Sequence, residues 1–144
     1  MVYINAISSN ATLTTDVKEL IPNALLRRRM SEIVKSGVSV GMECINKVGA
    51  EKIDAIITAT GLGCLADSEK FLKIILDNNE ELLNPTPFIQ STFNTVGGQI
   101  ALMCKNHSYN MTYTHRGTSF EAALLDAVSL IENADAENVL LGAF

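Results

Sequence analysis

The sequence predicts one α/β domain with a mostly parallel β-sheet and helices packed on it, and three features lead to this prediction. Short apolar segments alternate with helical patterns along the chain, as they do in parallel sheets. Residues 53–60 form a compact, β-branched run that suits a strand buried on both faces. Residues 120–131 show a helical pattern that is apolar almost all round, which is typical of a helix at the centre of a larger body.

The N-terminal third contains one predicted strand and one long predicted helix. The apolar run at residues 2–7 predicts the strand, and Pro22 lies where a helix could begin. From residue 25 to residue 48 apolar side chains recur every three or four positions. This spacing predicts one continuous helix, which Gly49 is expected to end.

In the middle of the chain we expect a strand, a helix and then an extended segment. The strand at residues 53–60 ends in a glycine turn, Gly61-Leu-Gly63, and Asp67 or Ser68 is expected to cap a helix that runs to Leu76. The prolines within residues 84–87 predict an extended segment, because a residue before proline avoids helical geometry.

The C-terminal part predicts two further helices and two strands. Residues 95–105 predict a helix in which Gly97 and Gly98 indicate close packing against another backbone. Residues 109–114 and 138–143 predict strands, with a turn and the apolar helix between them. Because the chain stops directly after an apolar strand, we expect a truncated protein or one half of a two-part fold.

Composition and charge exclude several classes of protein. The chain has 144 residues, of which 47% are hydrophobic and 19% charged, a globular composition that can bury a core. Its net charge of -5 argues against nucleic-acid binding, which calls for a basic surface. No secretory signal and no apolar run of roughly 20 residues is found, so we expect a cytoplasmic protein without a membrane span. Three scattered cysteines predict reduced thiols, and no spacing indicates a metal or a cofactor.

The order and spacing of these segments resemble the N-terminal half of the β-ketoacyl synthases, which have a thiolase-like fold. A Thr-Gly-x-Gly turn at residues 60–63 precedes a proline-rich segment at residues 85–89 and Asn-Thr-Val-Gly-Gly-Gln-Ile-Ala at residues 94–101. A strand, a Gly-Thr-Ser turn and the buried helix follow. The resemblance covers nearly the whole chain as a single domain, residues 1–144, and it implies a role in fatty-acid or polyketide biosynthesis.

In that family a cysteine at the start of the buried helix takes the acyl chain, and this chain lacks it. Counting back from Ala127 places the family's cysteine at Gly117, whereas aligning on Thr118 and Ser119 places it at Arg116. Glycine has no side chain to acylate, and an arginine cation cannot attack a thioester. The family's two catalytic histidines belong to the C-terminal half. The resemblance therefore implies that this chain carries no catalytic residue for condensation.

The turn before the buried helix is the candidate site. By the resemblance it is expected to line a pocket with His115, Arg116, Gly117, Thr118, Ser119 and Phe120. His115 could carry a proton, but a structural hydrogen bond to the backbone is the more ordinary role for such a histidine. Phe120 could pack across a subunit interface or in the core.

The cysteines could offer a different nucleophile. Cys64 follows the glycine turn and precedes a helix, so a lowered thiol pKa is conceivable, whereas an inert buried cysteine is the simpler interpretation. Cys44 and Cys104 lie on helical stretches and are expected to pack in the core.

One basic run interrupts this acidic sequence at Arg27, Arg28 and Arg29. By the resemblance it could dock the acidic acyl carrier protein. Otherwise it forms a solvated helix face or intramolecular ion pairs.

Three functions follow from these features. The first is a non-condensing partner, similar to a chain length factor, that pairs with an active ketosynthase or with a second copy of itself. The second is a ketosynthase, an acyltransferase, that uses Cys64 or Cys104. The third is a stand-alone α/β interaction module without acyl chemistry.

Overall fold

The computed structural model describes residues 1–144 and contains seven α-helices and three β-strands. The helices are α1 (Val17–Leu20), α2 (Ala24–Arg29), α3 (Glu32–Val48), α4 (Leu65–Asp77), α5 (Pro85–Ser91), α6 (Thr95–Cys104) and α7 (Ser119–Glu132). The strands are β1 (Ala55–Ala59), β2 (Tyr109–Tyr113) and β3 (Val139–Ala143). The three strands, α6 and α7 agree with the sequence prediction to within about two residues at each end.

β1 is the central strand of a parallel sheet with the order β2-β1-β3. Ala55 lies opposite Tyr109 of β2 and Val139 of β3, so all three strands begin at the same level. Every residue of β1 is buried, as the β-branched run predicts. The carboxyl ends of the strands meet at one edge of the sheet, which is where open α/β sheets bind their ligands.

Helices cover both faces of the sheet. On one face α3 and α6 pack over Ile56 in a cluster of 11 buried hydrophobic residues. On the other face Ala123 and Ala127 of α7 pack against Ile57 and Ala59. Burial of each large aliphatic side chain contributes about 1.5–3 kcal/mol, so the α3–α6 face holds most of the core energy. None of the seven helices combines the length and the apolar character that a membrane crossing requires.

The single helix predicted for residues 25–48 is in fact two helices. Met30 and Ser31 have extended backbone angles and separate α2 from α3. Met30 is buried, at 5% exposure, so the chain turns there to bring this side chain into the core. The apolar spacing is helical on both sides of the turn, and for this reason periodicity alone could not reveal it. Gly49 ends α3 as predicted, with a φ of 108°.

Residues 2–7, predicted to form a strand, have no regular secondary structure. Tyr3 and Ile4 are 72% and 85% exposed. The prediction is wrong: a strand needs a backbone partner, and these residues pair with neither outer edge of the sheet, on β2 or on β3. Asn5 instead makes a side-chain hydrogen bond to Asn138 Oδ1 at 3.3 Å.

Glu43 of α3 ties the residues after this segment to the body of the domain. Its carboxylate is 3% exposed and accepts hydrogen bonds from the Ser8 hydroxyl and from the backbone N–H groups of Thr14, at 2.9 Å, and Thr15, at 3.3 Å. Lys47 Nζ lies 3.8 Å away. The hydrogen bonds, with that from Ser8 the largest effect, lower the pKa of Glu43 to about 2.

Two helix starts differ from prediction. α4 begins directly after Cys64, so neither Asp67 nor Ser68 caps it, and the Ser68 hydroxyl instead donates to the Cys64 carbonyl at 3.2 Å. The proline-rich segment begins α5 instead of extending the chain. The Asn84 side chain accepts the N–H of Thr86 at 2.9 Å, and a proline in the first turn needs no N–H partner.

The two glycines of α6 have different surroundings. A Cβ on Gly97 would lie 2.9 Å from Asn110 Oδ1 and 3.5 Å from Thr58 Oγ1, whereas nothing lies within 4 Å of a Cβ on Gly98. The predicted close packing is confirmed for Gly97, although its neighbours are side chains of the strands, and it is wrong for Gly98.

Candidate functional site

The candidate site is the elbow at which β2 turns into α7, at the carboxyl edge of the sheet. Three residues, Arg116–Thr118, form a 3-10 turn between the two elements. Arg116 has a φ of 55°, the left-handed region that costs a residue with a side chain about 1 kcal/mol or more. A sharp strand–turn–helix of this kind is also how α/β-hydrolases raise a nucleophile above a sheet.

Ser119 holds the elbow against β1. Its side chain is buried, at 4% exposure, and its hydroxyl donates to the Thr60 carbonyl at 2.8 Å. The same oxygen accepts the N–H of His115 at 2.7 Å. The Ser119 hydroxyl therefore forms its hydrogen bonds with backbone groups, and its role in this arrangement is structural.

The glycine turn after β1 lies directly against the elbow. A Cβ on Gly61 would lie 3.2 Å from the Arg116 carbonyl oxygen, so the two turns meet at this glycine. Gly63 has a φ of 65°, and its N–H donates to Thr60 Oγ1 at 3.0 Å. Residues 60–63 and the elbow thus form one connected rim at the edge of the sheet.

The remaining elbow residues face solvent. His115, Arg116, Gly117, Thr118 and Phe120 are all exposed. A Cβ on Gly117 would meet no atom within 4 Å, so a side chain at this position would stand free at the start of α7. The His115 ring lies 5.9 Å from the Tyr113 ring, centroid to centroid.

Two tyrosines behind the elbow were not singled out by sequence reasoning. Tyr109 donates its hydroxyl hydrogen to Asp126 Oδ2 of α7 at 3.0 Å. Burial, and then the hydrogen bond to Asp126, raise the pKa of Tyr109 to about 12. Burial and the Asp126 charge also raise the pKa of Tyr113. Tyr109 and Tyr113 are four residues apart on β2, so the sequence indicates that they share one face of the strand. Only the structure shows that this face lies near the carboxylate of Asp126.

None of the three cysteines is a favourable nucleophile. Cys64 is 1% exposed, and burial, followed by the charge of Asp67, raises the pKa of its thiol to about 11. Burial also raises the thiol pKa of Cys44 and of Cys104. The lowered pKa considered for Cys64 is therefore wrong, because the thiol is enclosed in the core cluster under the glycine turn.

An open cavity of about 590 Å³ lies beside the glycine turn. It is lined by residues 60–63, by the start of α3 at Ser31, by the start of α4 at Asp67, and by Phe144. The elbow residues do not line it. No three His, Cys, Asp or Glu side chains lie close enough together to hold a metal ion.

The basic run Arg27–Arg29 forms the last turn of α2, on the C-terminal end where cations complement the helix dipole. The Arg27 guanidinium donates to the backbone carbonyl of Ile21, and Arg28 and Arg29 are exposed. None of the three arginines forms a salt bridge. Two free cations are therefore left on this surface.

α7 exposes three large apolar side chains, together with the charged Glu121 and Glu132. Phe120, Leu124 and Leu125 are 46%, 44% and 69% exposed. The prediction of a helix enclosed within a larger body holds only on the sheet side, where Ala123 and Ala127 are buried. We call the three exposed side chains the outer face of α7.

Solved structures show the same fold. A chain from the complex of a ketosynthase (ApeO) with its chain length factor (ApeC) from Xenorhabdus doucetiae has a TM-score of 0.69 and 25% identity over 81% of this chain. A chain from the complex AntDE:AntF, a type II polyketide synthase acyl carrier protein with its ketosynthase bound to the hexaketide, has a TM-score of 0.75 and 20% identity over 90% of this chain. This protein spans 47% and 39% of the lengths of those two chains.

Sequence comparisons identify the family. No curated protein sequence matches the chain. The family model for the β-ketoacyl synthase N-terminal domain matches residues 5–144. The resemblance inferred from the motifs and the α/β, thiolase-like fold are confirmed, and the chain belongs to the β-ketoacyl synthase N-terminal domain family.

Proposed function

We propose that this protein is a non-condensing, chain-length-factor-like partner of an active ketosynthase in fatty-acid or polyketide biosynthesis. The observation that carries the proposal is an intact elbow without a nucleophile. The strand, the turn and the α7 helix are present, yet the candidate nucleophile positions hold Gly117 and Arg116. Neither residue can form a thioester.

The state of the cysteines supports a non-condensing role. A thioester is formed by a thiolate, and burial raises the thiol pKa of Cys44, Cys64 and Cys104. Cys64 also lies under the glycine turn and not at the start of α7. The alternative of a ketosynthase with a displaced cysteine therefore has no favourable residue in this chain.

The outer face of α7 supports a partner. Phe120 and Leu124 are four residues apart and therefore neighbours on the helix surface, and both are exposed, as is Leu125, whereas Ala123 and Ala127 are packed on the sheet. Apolar patches of this kind mark interaction surfaces. One of the similar solved chains comes from a ketosynthase bound to its chain length factor, and we extend that arrangement to this protein. The partner is then a ketosynthase-like subunit, with a second copy of this chain as the alternative.

The two free arginines of α2 support contact with an acyl carrier protein. Arg28 and Arg29 are exposed and have no intramolecular ion pair, so their charges are available to an acidic surface. Such charges mainly steer association and give it a dependence on salt.

The test is complex formation with a ketosynthase from the same source, measured by size-exclusion chromatography with light scattering. We expect a defined heteromeric complex, lost in Leu124→Glu on the outer face of α7. Leu76→Glu is the matched control, because Leu76 is 76% exposed on α4, away from that face. Absence of any complex with a ketosynthase or a carrier protein would contradict the proposal and favour the stand-alone interaction module.

A further inference from the structure

Gly142 of β3 borders an open space beneath α3. Leu140 and Phe144 pack into the core cluster beneath α3, and since side chains alternate along a strand, Gly142 faces the same side. A Cβ on Gly142 would meet no atom within 4 Å. On α3, Gly37 and Gly41 also line the space, but they pack closely against α6, where an added Cβ would lie 3.0 Å from Val96 and 2.7 Å from Ile100.

The space is a cavity of about 340 Å³ on the face of the sheet opposite α7. Its floor and walls are apolar and include Ile33, Val40, Ile100, Leu140 and Phe144. Pockets for small ligands begin at about 300 Å³ and are mostly apolar with a few polar groups. The size and lining therefore fit a small molecule.

One side of the cavity is polar but carries no charge. Ser8, Ser9 and Asn10 of the N-terminal segment and Ser36 of α3 line this side, and the Ser36 hydroxyl donates to Asn10 Oδ1 at 2.7 Å. No Lys, Arg, Asp or Glu lines the cavity. Glu43 does not line the cavity, but its carboxylate accepts a hydrogen bond from the hydroxyl of Ser8, which does.

We propose that this cavity binds a small uncharged amphiphile, whose apolar tail lies among the α3, α6 and β3 side chains and whose hydroxyl or amide head meets the serines and Asn10. An anionic head would lie without a counter-charge and close to the Glu43 carboxylate, so a carboxylate ligand is disfavoured. The N-terminal segment forms the roof, held by Glu43. The site is separate from the elbow, and the proposal does not depend on the chain's being a ketosynthase partner.

The cysteines provide an internal comparison for the test. Cys44 lines the cavity, and Cys104, which is equally half-buried, does not. The experiment measures iodoacetamide labelling of each thiol by peptide mass spectrometry, with 1-octanol or octanoate as the probe. At an octanol concentration about ten times its Kd, about nine-tenths of the sites are filled, and labelling of Cys44 should fall about tenfold while Cys104 is unchanged.

A filled cavity should abolish this protection. Gly142→Val places methyl groups in the open space, and Gly98→Ala is the control, since its Cβ also meets no atom within 4 Å but lies outside the cavity. We expect octanol to protect Cys44 in Gly98→Ala and not in Gly142→Val. If Gly142→Val does not fold, as judged by circular dichroism, Val40→Phe fills the cavity from α3.

Three results would overturn the proposal. The first is labelling of Cys44 that octanol leaves unchanged in the unmodified protein. The second is equal protection of Cys44 and Cys104, which would reflect general stabilisation. The third is protection by octanoate as strong as that by octanol, which would contradict the uncharged head.

Discussion

Restoring a cysteine at the elbow should create the most reactive thiol in the protein. In Gly117→Cys the new side chain stands free before α7, whereas Cys64 is 1% exposed and its pKa is raised to about 11. At pH 7.5 about three in ten thousand Cys64 thiols are ionised, against about one in ten for an exposed thiol of pKa about 8.5. The ratio of thiolate populations is thus about 300.

Reactivity differs less than ionisation does, because a thiolate of lower pKa is a weaker nucleophile. A Brønsted slope of about 0.45 over about 2.5 pKa units reduces the advantage to about 20-fold. Burial of Cys64 slows its reaction further and so increases this difference in reactivity. The N-terminus of α7 also lowers the pKa of the introduced thiol. The assay is site-resolved iodoacetamide labelling at pH 7.5, with Asn133→Cys at the opposite end of α7 as the matched control. An introduced thiol at position 117 that reacts no faster than Cys64 would refute the open elbow described above.

Three further predictions concern stability and docking. Gly98→Ala should stabilise α6 by about 0.5–1 kcal/mol, whereas Gly97→Ala forces a Cβ against a strand side chain at a cost of about 1–3 kcal/mol. The two variants should therefore differ by about 1.5–4 kcal/mol, so that Gly97→Ala melts about 5–13 °C below Gly98→Ala in calorimetry. Equal melting temperatures would contradict the packing. Because the folded pKa of Glu43 is depressed, its stabilisation is present above pH 4.5 and is lost as the pH falls towards about 2. Glu43→Gln should therefore flatten the pH dependence of urea unfolding in that range, and an unchanged slope would count against the carboxylate's role. Arg28→Glu with Arg29→Glu should weaken binding of an acyl carrier protein in a low-salt titration, R28K/R29K should preserve it, and equal affinities would remove α2 from the docking surface.

The strands and the two C-terminal helices could be predicted because their signals are local. β1 is a β-branched run buried on both faces, and α7 has a helical pattern that is apolar almost all round. The family could be inferred for the same reason, since the order of the motifs is a property of the sequence. The missing cysteine was also visible, because Gly117 and Arg116 are read directly from the chain.

The sequence could not predict features that depend on tertiary contacts. Residues 2–7 have the composition of a strand, but they pair with neither edge strand of the sheet, and no local pattern reveals whether a segment finds a backbone partner. The separation of α2 from α3 depends on burying Met30. For Cys64 the simpler interpretation, an inert buried cysteine, is confirmed, because its pKa is set by the core that closes around it and not by its place before a helix. The hydrogen bonds of Ser119 to the backbone of Thr60 and His115 likewise could not be predicted, because they join residues that only the fold brings together.

The most direct test of a non-condensing role is intact-mass spectrometry of this protein and its ketosynthase after incubation together with an acyl-loaded carrier protein, or with cerulenin. We expect the acyl group or the inhibitor on the ketosynthase alone, with no added mass on this chain. A stoichiometric adduct on Cys44, Cys64 or Cys104 would contradict the account and make this protein a condensing enzyme with a displaced nucleophile.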